Sequence, residues 1–350
     1  MPDHALSYSA PERLLHRLAL GNELIPDVSF DLEHALFGEC PMPEGAVYVT
    51  GLARAGSTTL LNALHATGQF ASLTYQDMPF VLAPNLWRAV SRIHPRRRGA
   101  KERAHADGIQ HNPQSPEALE EVFWRKTCGA DYIRQSHLRA HTVSPDHVPQ
   151  LLRYQSLVCR RYGRSRYLAK NNNHILRLKT LAPLMPTAKF VALFREPLAQ
   201  SGSLLRQHQH FATSDAFTRN YMTWLVHHEF GATHRPFCFA AENIDTAAVS
   251  GLNYWLARWT DAYSYLLGVF EADHPNVVPV HYERLCRDAG YGQRLFDWLD
   301  CSPSRDTPFI NANQAATTFN LPQLASAQAI YQRLIELAEA RLPSASSISR

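Results

Sequence analysis

The chain has 350 residues, of which 45% are hydrophobic and 19% are charged, as in an ordinary soluble protein with a substantial core. Its 35 basic and 31 acidic residues leave a net charge of +4, which is too small to indicate a nucleic-acid-binding protein. No stretch approaches the ~18 consecutive apolar residues that a membrane-spanning helix needs, so we expect no transmembrane segment.

The cysteine pattern bears on the cellular compartment. The six cysteines are widely spaced and include no C-x-x-C pair: Cys40, Cys128, Cys159, Cys238, Cys286 and Cys301. This pattern favours reduced structural thiols over a disulfide framework or a zinc site. The N-terminus also lacks the basic start and apolar run of a secretion signal. We therefore expect a cytoplasmic protein.

The first part of the chain predicts helices, then a strand, a glycine-bearing loop and a helix. Residues 1–44 are expected to form a helical extension, with one or two short helices in 8–37. A strand is predicted at 46–50 and a helix at 57–67. Residues 84–118 are rich in Pro, Arg, His and Asn, so they predict a long loop.

The rest of the chain alternates between predicted helices and strands. A helix is expected at 115–126 with Ser115 as its cap, and strands are expected at 166–169, 189–194 and 276–281. Further helices are predicted at 147–162, 174–184, 197–208, 215–229, 251–271 and 322–341. Such alternation predicts an α/β fold of the P-loop type, a three-layer sandwich whose central, mostly parallel sheet is flanked by helices. One domain is expected over 1–350, with a flexible tail at 343–350.

The loop between the first strand and its helix has the composition of a phosphate-binding site. Gly51 and Gly56 permit unusual backbone conformations, and the N–H groups of such a loop and the following helix turn bind anions. Ser57, Thr58 and Thr59 add hydroxyl donors. The alternative is a strand–turn–helix corner that merely contains two glycines.

The same loop lacks the lysine of nucleotide hydrolases and kinases. In G-x-x-x-x-G-K-[ST] the lysine follows the second glycine, but here Ser57 occupies that position. The cation of the loop is Arg54, where it would face the terminal group on a single 5′-phosphate. The sequence also shows no clear second apolar strand that ends in a magnesium-binding aspartate. The loop therefore favours a metal-free nucleotide donor over a P-loop kinase or hydrolase, and no metal is required.

A second anion-binding pattern follows a later strand. "KFVALFREPLAQSGSLLRQH" places Arg195 directly at the end of a buried strand, starts a helix at Pro197 and places Ser203 eight residues after the arginine. Ligands bind at the carboxyl ends of parallel strands, where a guanidinium and a hydroxyl could hold one phosphate together. The alternative is an arginine paired with Glu196 or a neighbouring acid, and a serine that is only a helix residue.

These patterns together resemble the sulfotransferase family that uses 3′-phosphoadenosine 5′-phosphosulfate (PAPS), in particular its bacterial, protein-tyrosine and glycan branch. The resemblance rests on two motifs, R-A-G-S-T-T-L-L at 54–61 and R-E-P-L-A-Q-S-G-S at 195–203. Weaker matches are "AKNNN" at 169–173 and "VVPVHYERLCRDAG" at 277–290. The resemblance covers roughly residues 45–290.

The resemblance implies which residues bind the donor. The 5′-phosphosulfate would be held by the loop and first helix turn, namely Arg54, Ala55, Gly56, Ser57, Thr58 and Thr59. The 3′-phosphate would be held by Arg195 and Ser203. Two positions depart from the family pattern, since Ser57 replaces a threonine and Asn172 replaces the proline that follows Lys170.

The resemblance also implies catalytic residues for sulfuryl transfer to a hydroxyl acceptor. Asp77, in "SLTYQDMPF", occupies the place of the base that takes the acceptor's proton. Arg54 would contact the leaving phosphate and Lys170 the sulfonate. The alternatives left open are His105 or His111 as the base, with Asp77 as a capping or turn residue.

Other candidate residues lie outside these motifs. "TWLVHHEFGATH" gathers His227, His228, Glu229 and His234, but lacks the H-E-x-x-H register of zinc enzymes, so acceptor contacts or packing are favoured over a metal. Stacking surfaces for an acceptor could come from Trp87, Trp124 and Trp224.

Residues 88–111, which are polar, basic and rich in histidine, indicate the class of acceptor. Within them, 88–103 hold seven arginines and lysines and one acid, which fits either a solvated loop or a surface for an anionic ligand. We expect an acceptor-side loop here and a carbohydrate or glycolipid hydroxyl as the acceptor. A non-catalytic nucleotide-binding module is the alternative from a different functional class.

Overall fold

A computed structural model describes most of the chain. The described residues are 8–38, 40–91, 101–102, 110–111, 114–240, 246–272, 274–303, 309 and 321–342. The predicted tail at 343–350 and much of the predicted loop at 84–118 therefore lie outside the described residues. Among the described helices, none combines the length and apolarity that crossing a membrane requires.

The described helices and strands alternate along the chain. The helices are α1 (Ala10–Leu20), α2 (Leu24–Phe37), α3 (Ser57–Ala66), α4 (Pro84–Ser91), α5 (Glu121–Tyr132), α6 (His147–Tyr162), α7 (Leu178–Leu184), α8 (Pro197–Ala212), α9 (Ala216–Trp224), α10 (Leu252–Glu271), α11 (Tyr282–Arg287), α12 (Ala289–Trp298) and α13 (Leu324–Arg341). The strands are β1 (Gly45–Thr50), β2 (Phe70–Ala71), β3 (Lys101–Glu102), β4 (Gln110–His111), β5 (Leu138–Arg139), β6 (Arg166–Lys170), β7 (Lys189–Phe194), β8 (Phe237–Cys238) and β9 (Val277–His281). Short 3-10 turns lie at Tyr75–Asp77 and Asn172–Leu176.

Five strands form the central sheet, in the order β2-β6-β1-β7-β9, and every neighbouring pair is parallel. Near the carboxyl end of β1, Val49 lies opposite Lys170 of β6 and Thr50 lies opposite Ala192 of β7. The segments that follow these strands therefore begin at one edge of the sheet, where parallel sheets bind ligands. The predicted α/β fold with a mostly parallel sheet flanked by helices is confirmed.

The sheet is buried on both faces because side chains alternate along each strand. Val47 and Val49 of β1 belong to a core cluster that includes Leu60 of α3. The intervening Tyr48 belongs to the other cluster and stacks on Phe190 of β7, with ring centroids 4.8 Å apart. The helices on the two faces thus pack against two separate apolar layers, which hold the ends of the strands in place.

The prediction of a loop over 84–118 was wrong at its start, because α4 begins at Pro84. The predicted helix start at Ser115 was also wrong, because the helix begins six residues later, at Glu121. Ser115 accepts a hydrogen bond from the backbone N–H of Tyr75, at 3.3 Å, and Pro116 forms a β-bridge with Thr74. This pairing with a distant segment keeps the backbone before Glu121 from turning into a helix.

The predicted helix at 215–229 was too long, because α9 ends at Trp224. Val226 adopts a left-handed backbone conformation with φ of 55°, which is unusual for a β-branched residue and breaks the helix. The predicted helix at 174–184 begins instead as the 3-10 turn that follows β6. Both differences lie in segments that border the site described below.

A buried ion pair connects α5 to the end of β6. Arg177 donates to both carboxylate oxygens of Glu121, at 2.7 and 3.0 Å, and Glu121 also accepts from the amide of Asn171. Burial alone would raise the pKa of Glu121, but the charge and hydrogen bonds of Arg177, with further bonds from Tyr132 and Asn171, lower it to about 2. The ionised carboxylate is therefore the stable form throughout the neutral range.

The ion pair predicts a loss of stability in acid. Because the folded-state pKa of Glu121 lies below its ordinary value of 4.5, ionised Glu121 stabilises the fold above about pH 4.5, and this contribution is lost as the pH falls towards about 2. Glu121→Gln leaves Arg177 buried without its counter-charge. We expect the free energy of unfolding at pH 7 to fall by about 3–5 kcal/mol in urea titrations.

The control for this prediction is Glu271→Gln, which removes a carboxylate that is 51% exposed and paired with exposed Arg333. Exposed pairs contribute little, so this variant should match the wild type within about 0.5 kcal/mol. The wild type should lose more stability between pH 4.5 and 3 than Glu121→Gln does. Equal losses would contradict the assignment.

Candidate functional site

The loop between β1 and α3 has three residues in left-handed backbone conformations. They are Gly51 with φ of 135°, Arg54 with φ of 70° and Gly56 with φ of 91°. A side chain at Gly51 would meet the carbonyl oxygen of Leu193 at 2.4 Å, and one at Gly56 would meet the ring of Tyr282 at 2.2 Å. Both glycines are therefore required by conformation and by close packing, not by conformation alone.

Arg54 links this loop to the second predicted motif. Its Nε donates to Ser203 Oγ on α8 at 3.1 Å, and its backbone carbonyl accepts from Arg195 Nη1 at 3.1 Å. Arg54 is a non-glycine residue held with positive φ, a strained conformation that is common at functional sites. The structure thus brings Arg54, Arg195 and Ser203 together at the carboxyl edge of the sheet, although Arg54 and Arg195 are 141 residues apart.

Arg195 is oriented by the segment that follows β9. Its guanidinium lies 3.5 Å from the carboxylate of Glu283 and 5.3 Å from the ring centre of Tyr282. Burial alone would raise the pKa of Glu283, but hydrogen bonds from His281 and from backbone N–H groups, together with the charge of Arg195, lower it. The ionised Glu283 therefore holds Arg195 in place at the edge of the loop.

Tyr282 and Glu283 are site residues to which the sequence motifs assigned no role. Tyr282 packs on Gly56 and exchanges a hydrogen bond with Thr59 in the first turn of α3. The sequence feature that could have identified them is their position directly after a buried strand. Arg195 and Glu196 occupy the same position after β7. Such a position predicts a side chain at the ligand edge of the sheet.

Lys170 and Asn172 lie at the end of the neighbouring strand β6. Lys170 is buried and is the last residue of its strand, opposite Val49. Asn172 accepts a hydrogen bond from Ser57 Oγ of the loop at 3.5 Å. The structure therefore places Lys170 beside the loop, and Asn172, the departure from the family pattern, contacts the loop directly.

The exposure of the remaining residues in the loop and the first turn of α3 is compatible with an anion-binding site. Ser57, Thr58 and Thr59 form the first turn of α3, where backbone N–H groups have no partner within the helix. Thr58 and Thr59 are partly exposed, whereas Ala55 is buried. The loop and the helix terminus thus present donors to solvent at the edge of the sheet.

Asp77 is enclosed by protein. Its carboxylate accepts from the backbone N–H of Thr74 at 2.9 Å, from Arg161 Nε at 3.2 Å and from the hydroxyl of Tyr162. Burial raises the pKa of Asp77, although these hydrogen bonds and Arg161 oppose the shift. With the carboxylate fully buried, an acceptor hydroxyl has no access to Asp77 in this conformation, and the geometry is that of the capping alternative.

The histidines of the 227–234 segment bind protein groups. His227 Nε2 lies 3.0 Å from the carbonyl oxygen of Ala118, and His228 Nδ1 lies 2.7 Å from that of Thr233. Burial lowers the pKa of His228 and of His234 to about 4 each, so both rings are neutral at pH 7. Among the residues that the structure describes, no group of three or more His, Cys, Asp or Glu side chains is placed to hold a metal ion.

The other sequence candidates have mixed outcomes. His105 lies outside the described residues, and His111 lies in β4, where its side chain is not described. Trp124 is fully buried and donates to Glu120, so it belongs to the core and offers no stacking surface. Trp87 and Trp224 are partly exposed.

Comparisons with known proteins agree with the motifs. A family model described as the Sulfotransferase family matches residues 46–304, which confirms the resemblance inferred from the sequence. A search of curated proteins finds no significant match.

Three solved structures are similar to this chain. The sulfotransferase STF1 of Mycobacterium tuberculosis shares 15% identity, with a TM-score of 0.49 over 92% of this chain and 86% of that one. The sulfotransferase STF9 of Mycobacterium avium shares 14%, with a TM-score of 0.47 over 96% and 87%. A sulfotransferase of Alicyclobacillus acidocaldarius shares 12%, with a TM-score of 0.37 over 87% and 98%.

The packing of Gly56 gives a test of the loop. Gly56→Ala should lower the free energy of unfolding by about 2–4 kcal/mol, because alanine disfavours positive φ and its Cβ overlaps the Tyr282 ring. The matched control is Gly268→Ala within α10, where a Cβ meets nothing within 4 Å. That variant should instead gain about 0.5–1 kcal/mol in the same urea titration. A similar effect of the two substitutions would contradict the packing argument.

Asp77→Asn tests the capping geometry. The substitution leaves Arg161 and Tyr162 without a charged acceptor, so we expect the free energy of unfolding to fall by about 1–3 kcal/mol. Urea titrations of the two proteins measure this difference. A carboxylate without a structural role would instead leave the free energy of unfolding within about 0.5 kcal/mol of the wild type.

Proposed function

Because the chain belongs to the sulfotransferase family, we propose that it transfers a sulfuryl group from PAPS to a hydroxyl acceptor. The observation that carries the donor assignment is the direct contact of Arg54 with Ser203 and with Arg195. It joins a phosphate-binding loop to a second cationic group at one edge of the sheet. PAPS has a phosphosulfate at the 5′ position and a phosphate at the 3′ position, and such a donor needs two neighbouring anion sites.

In this proposal the loop binds the 5′-phosphosulfate and the second motif binds the 3′-phosphate. Backbone N–H groups at 54 and 56–59 and the hydroxyls of Thr58 and Thr59 would donate to the 5′ group, whereas the N–H of Ala55 donates to the carbonyl oxygen of Leu52. Arg195 and Ser203 would hold the 3′-phosphate, with the guanidinium kept in position by Glu283. The ring of Tyr282 packs against Gly56 and would support the backbone of the loop from that side.

The transfer is an in-line displacement at sulfur. Negative charge develops on the bridging oxygen of the leaving phosphate, and a fixed cation near that oxygen lowers the barrier. Arg54 is the proposed cation for the leaving phosphate, and Lys170, at the end of β6, for the sulfonate. Asp77, the candidate for the base, is fully buried in this conformation.

The acceptor is proposed to be the hydroxyl of a carbohydrate or glycolipid. Support comes from the polar, basic and histidine-rich composition of residues 88–111. A sugar offers many hydroxyls, and polar side chains at the acceptor side would bind them by hydrogen bonds.

Ligand-induced thermal stabilisation tests the donor assignment. The purified protein is unfolded with adenosine 3′,5′-bisphosphate, with 5′-AMP or with Mg-ATP, each in excess. A ligand at ~100 times its dissociation constant adds about 2.7 kcal/mol to the free energy of unfolding, which raises the unfolding temperature by a few degrees. We expect this rise with the bisphosphate and a smaller one with 5′-AMP, which lacks the 3′-phosphate.

Arg195→Gln should abolish most of the bisphosphate effect, because it removes the charge proposed to hold the 3′-phosphate. The control is Arg333→Gln, since Arg333 is an exposed arginine on α13 and should leave the effect unchanged. Release of adenosine 3′,5′-bisphosphate from PAPS is then followed with a panel of sugars and sugar lipids. Stabilisation by Mg-ATP and not by the bisphosphate would refute the proposal and favour a kinase.

A further inference from the structure

The segment that follows α9 holds an acidic side chain at the edge of the site. Asn173 donates to the backbone carbonyl of Val226 at 3.1 Å, where the chain takes its left-handed turn. Gly231, with φ of 84°, provides a second turn five residues later. Glu229 lies between these turns. His227 and His228, which directly precede it, fix the segment by hydrogen bonds to the carbonyl oxygens of Ala118 and Thr233.

Glu229 is joined to the phosphate-binding loop through a single side chain. Its carboxylate accepts from Asn172 Nδ2 at 2.7 Å. The carbonyl oxygen of the same amide accepts from Ser57 Oγ at 3.5 Å. The chain Ser57–Asn172–Glu229 therefore places a carboxylate two hydrogen bonds from the first residue of α3.

Among the residues that the structure describes, the four acidic residues discussed above are bound by protein groups. Glu283 holds Arg195, Glu121 holds the buried Arg177, and Asp77 is enclosed by Arg161 and Tyr162. Glu196 caps α8 through the backbone N–H of Ala199. Glu229, like Glu196, is partly exposed. Its carboxylate accepts from the neutral side-chain amide of Asn172, whereas that of Glu196 accepts from a helix backbone.

A carboxylate beside an anion-binding loop weakens donor binding, because like charges repel. The fixed position of the Glu229 carboxylate is explained if this group acts on the acceptor and not on the donor. A general base must lie within hydrogen-bond reach of the hydroxyl whose proton it removes, and that hydroxyl must lie beside the sulfonate. Glu229 is placed on this side of the loop, next to the end of β6.

We propose that Glu229 is the general base of the transfer, an assignment that rests on the sulfotransferase function proposed above. The acceptor oxygen forms a bond to sulfur while the bond from sulfur to the phosphate oxygen breaks, and its electron pair stays on adenosine 3′,5′-bisphosphate. The acceptor's proton passes to the Glu229 carboxylate and then to water. Asn172 is a positioning residue that fixes the distance between this carboxylate and Ser57.

Glu229→Gln distinguishes a catalytic role of the carboxylate from a structural role. Glutamine keeps an oxygen that accepts from Asn172 but cannot take a proton. Turnover is measured as release of adenosine 3′,5′-bisphosphate from PAPS, with water as the acceptor and with the sugar panel. We expect kcat to fall by roughly 10²–10⁴-fold with no rise in KM for PAPS. Binding of the bisphosphate, measured by calorimetry, should be kept or tightened because a negative charge is removed.

Two further variants complete the experiment. Glu229→Asp keeps a carboxylate and should recover part of the turnover that the glutamine variant loses, whereas Glu271→Gln, an exposed control on α10, should match the wild type. Turnover of Glu229→Gln within about 3-fold of wild type, with bisphosphate binding intact, would overturn the assignment and leave the sulfotransferase proposal standing. A wild type that neither binds the bisphosphate nor consumes PAPS would overturn the sulfotransferase proposal, and this assignment with it.

Discussion

The parallel register of β1 with its neighbours β6 and β7 is the constraint on which the rest of the site depends. It aligns the carboxyl ends of the three strands, so the loop after β1, the asparagines after β6 and Arg195 after β7 emerge at one edge. Hydrogen bonds then connect the three segments, through Arg54 to Arg195 and through Ser57 to Asn172. A shift in this register would separate groups that must contact one donor.

Charged groups in and around the site divide into those that support the fold and those that face the ligand. The Glu121–Arg177 pair and Asp77 with Arg161 are buried, and they hold α5, the end of β6 and the turn at Tyr75–Asp77. Glu283 has an intermediate role, since it is largely buried and yet orients an arginine of the site. Asp77 and Glu121 are thus buried supporting carboxylates, whereas Glu229 retains contact with solvent.

Asp77 illustrates why spacing along the chain does not by itself distinguish a capping acid from a catalytic base. The sequence placed an acid shortly after the first helix, but the 3-10 turn there uses that acid to cap its own backbone. A capping aspartate and a catalytic one are alike in a sequence, because both stand in a turn beside polar residues. Glu229 had no such spacing signal, because its link to the loop runs through Asn172, 57 residues earlier.

Local sequence alone determined the parts of this protein that depend on neighbours in the chain. These include the helices and strands with clear periodicity, the glycine loop from Gly51 to Gly56, and the arginine and serine of the second motif. The tertiary structure decided which distant groups contact one another, such as Tyr282 with Gly56 and Glu229 with Asn172. It also decided where the helices predicted at 115–126 and 215–229 begin or end. The physical reason is that local preferences of a few tenths of a kcal/mol per residue are outweighed by strand pairing and burial, which depend on residues far away in the chain.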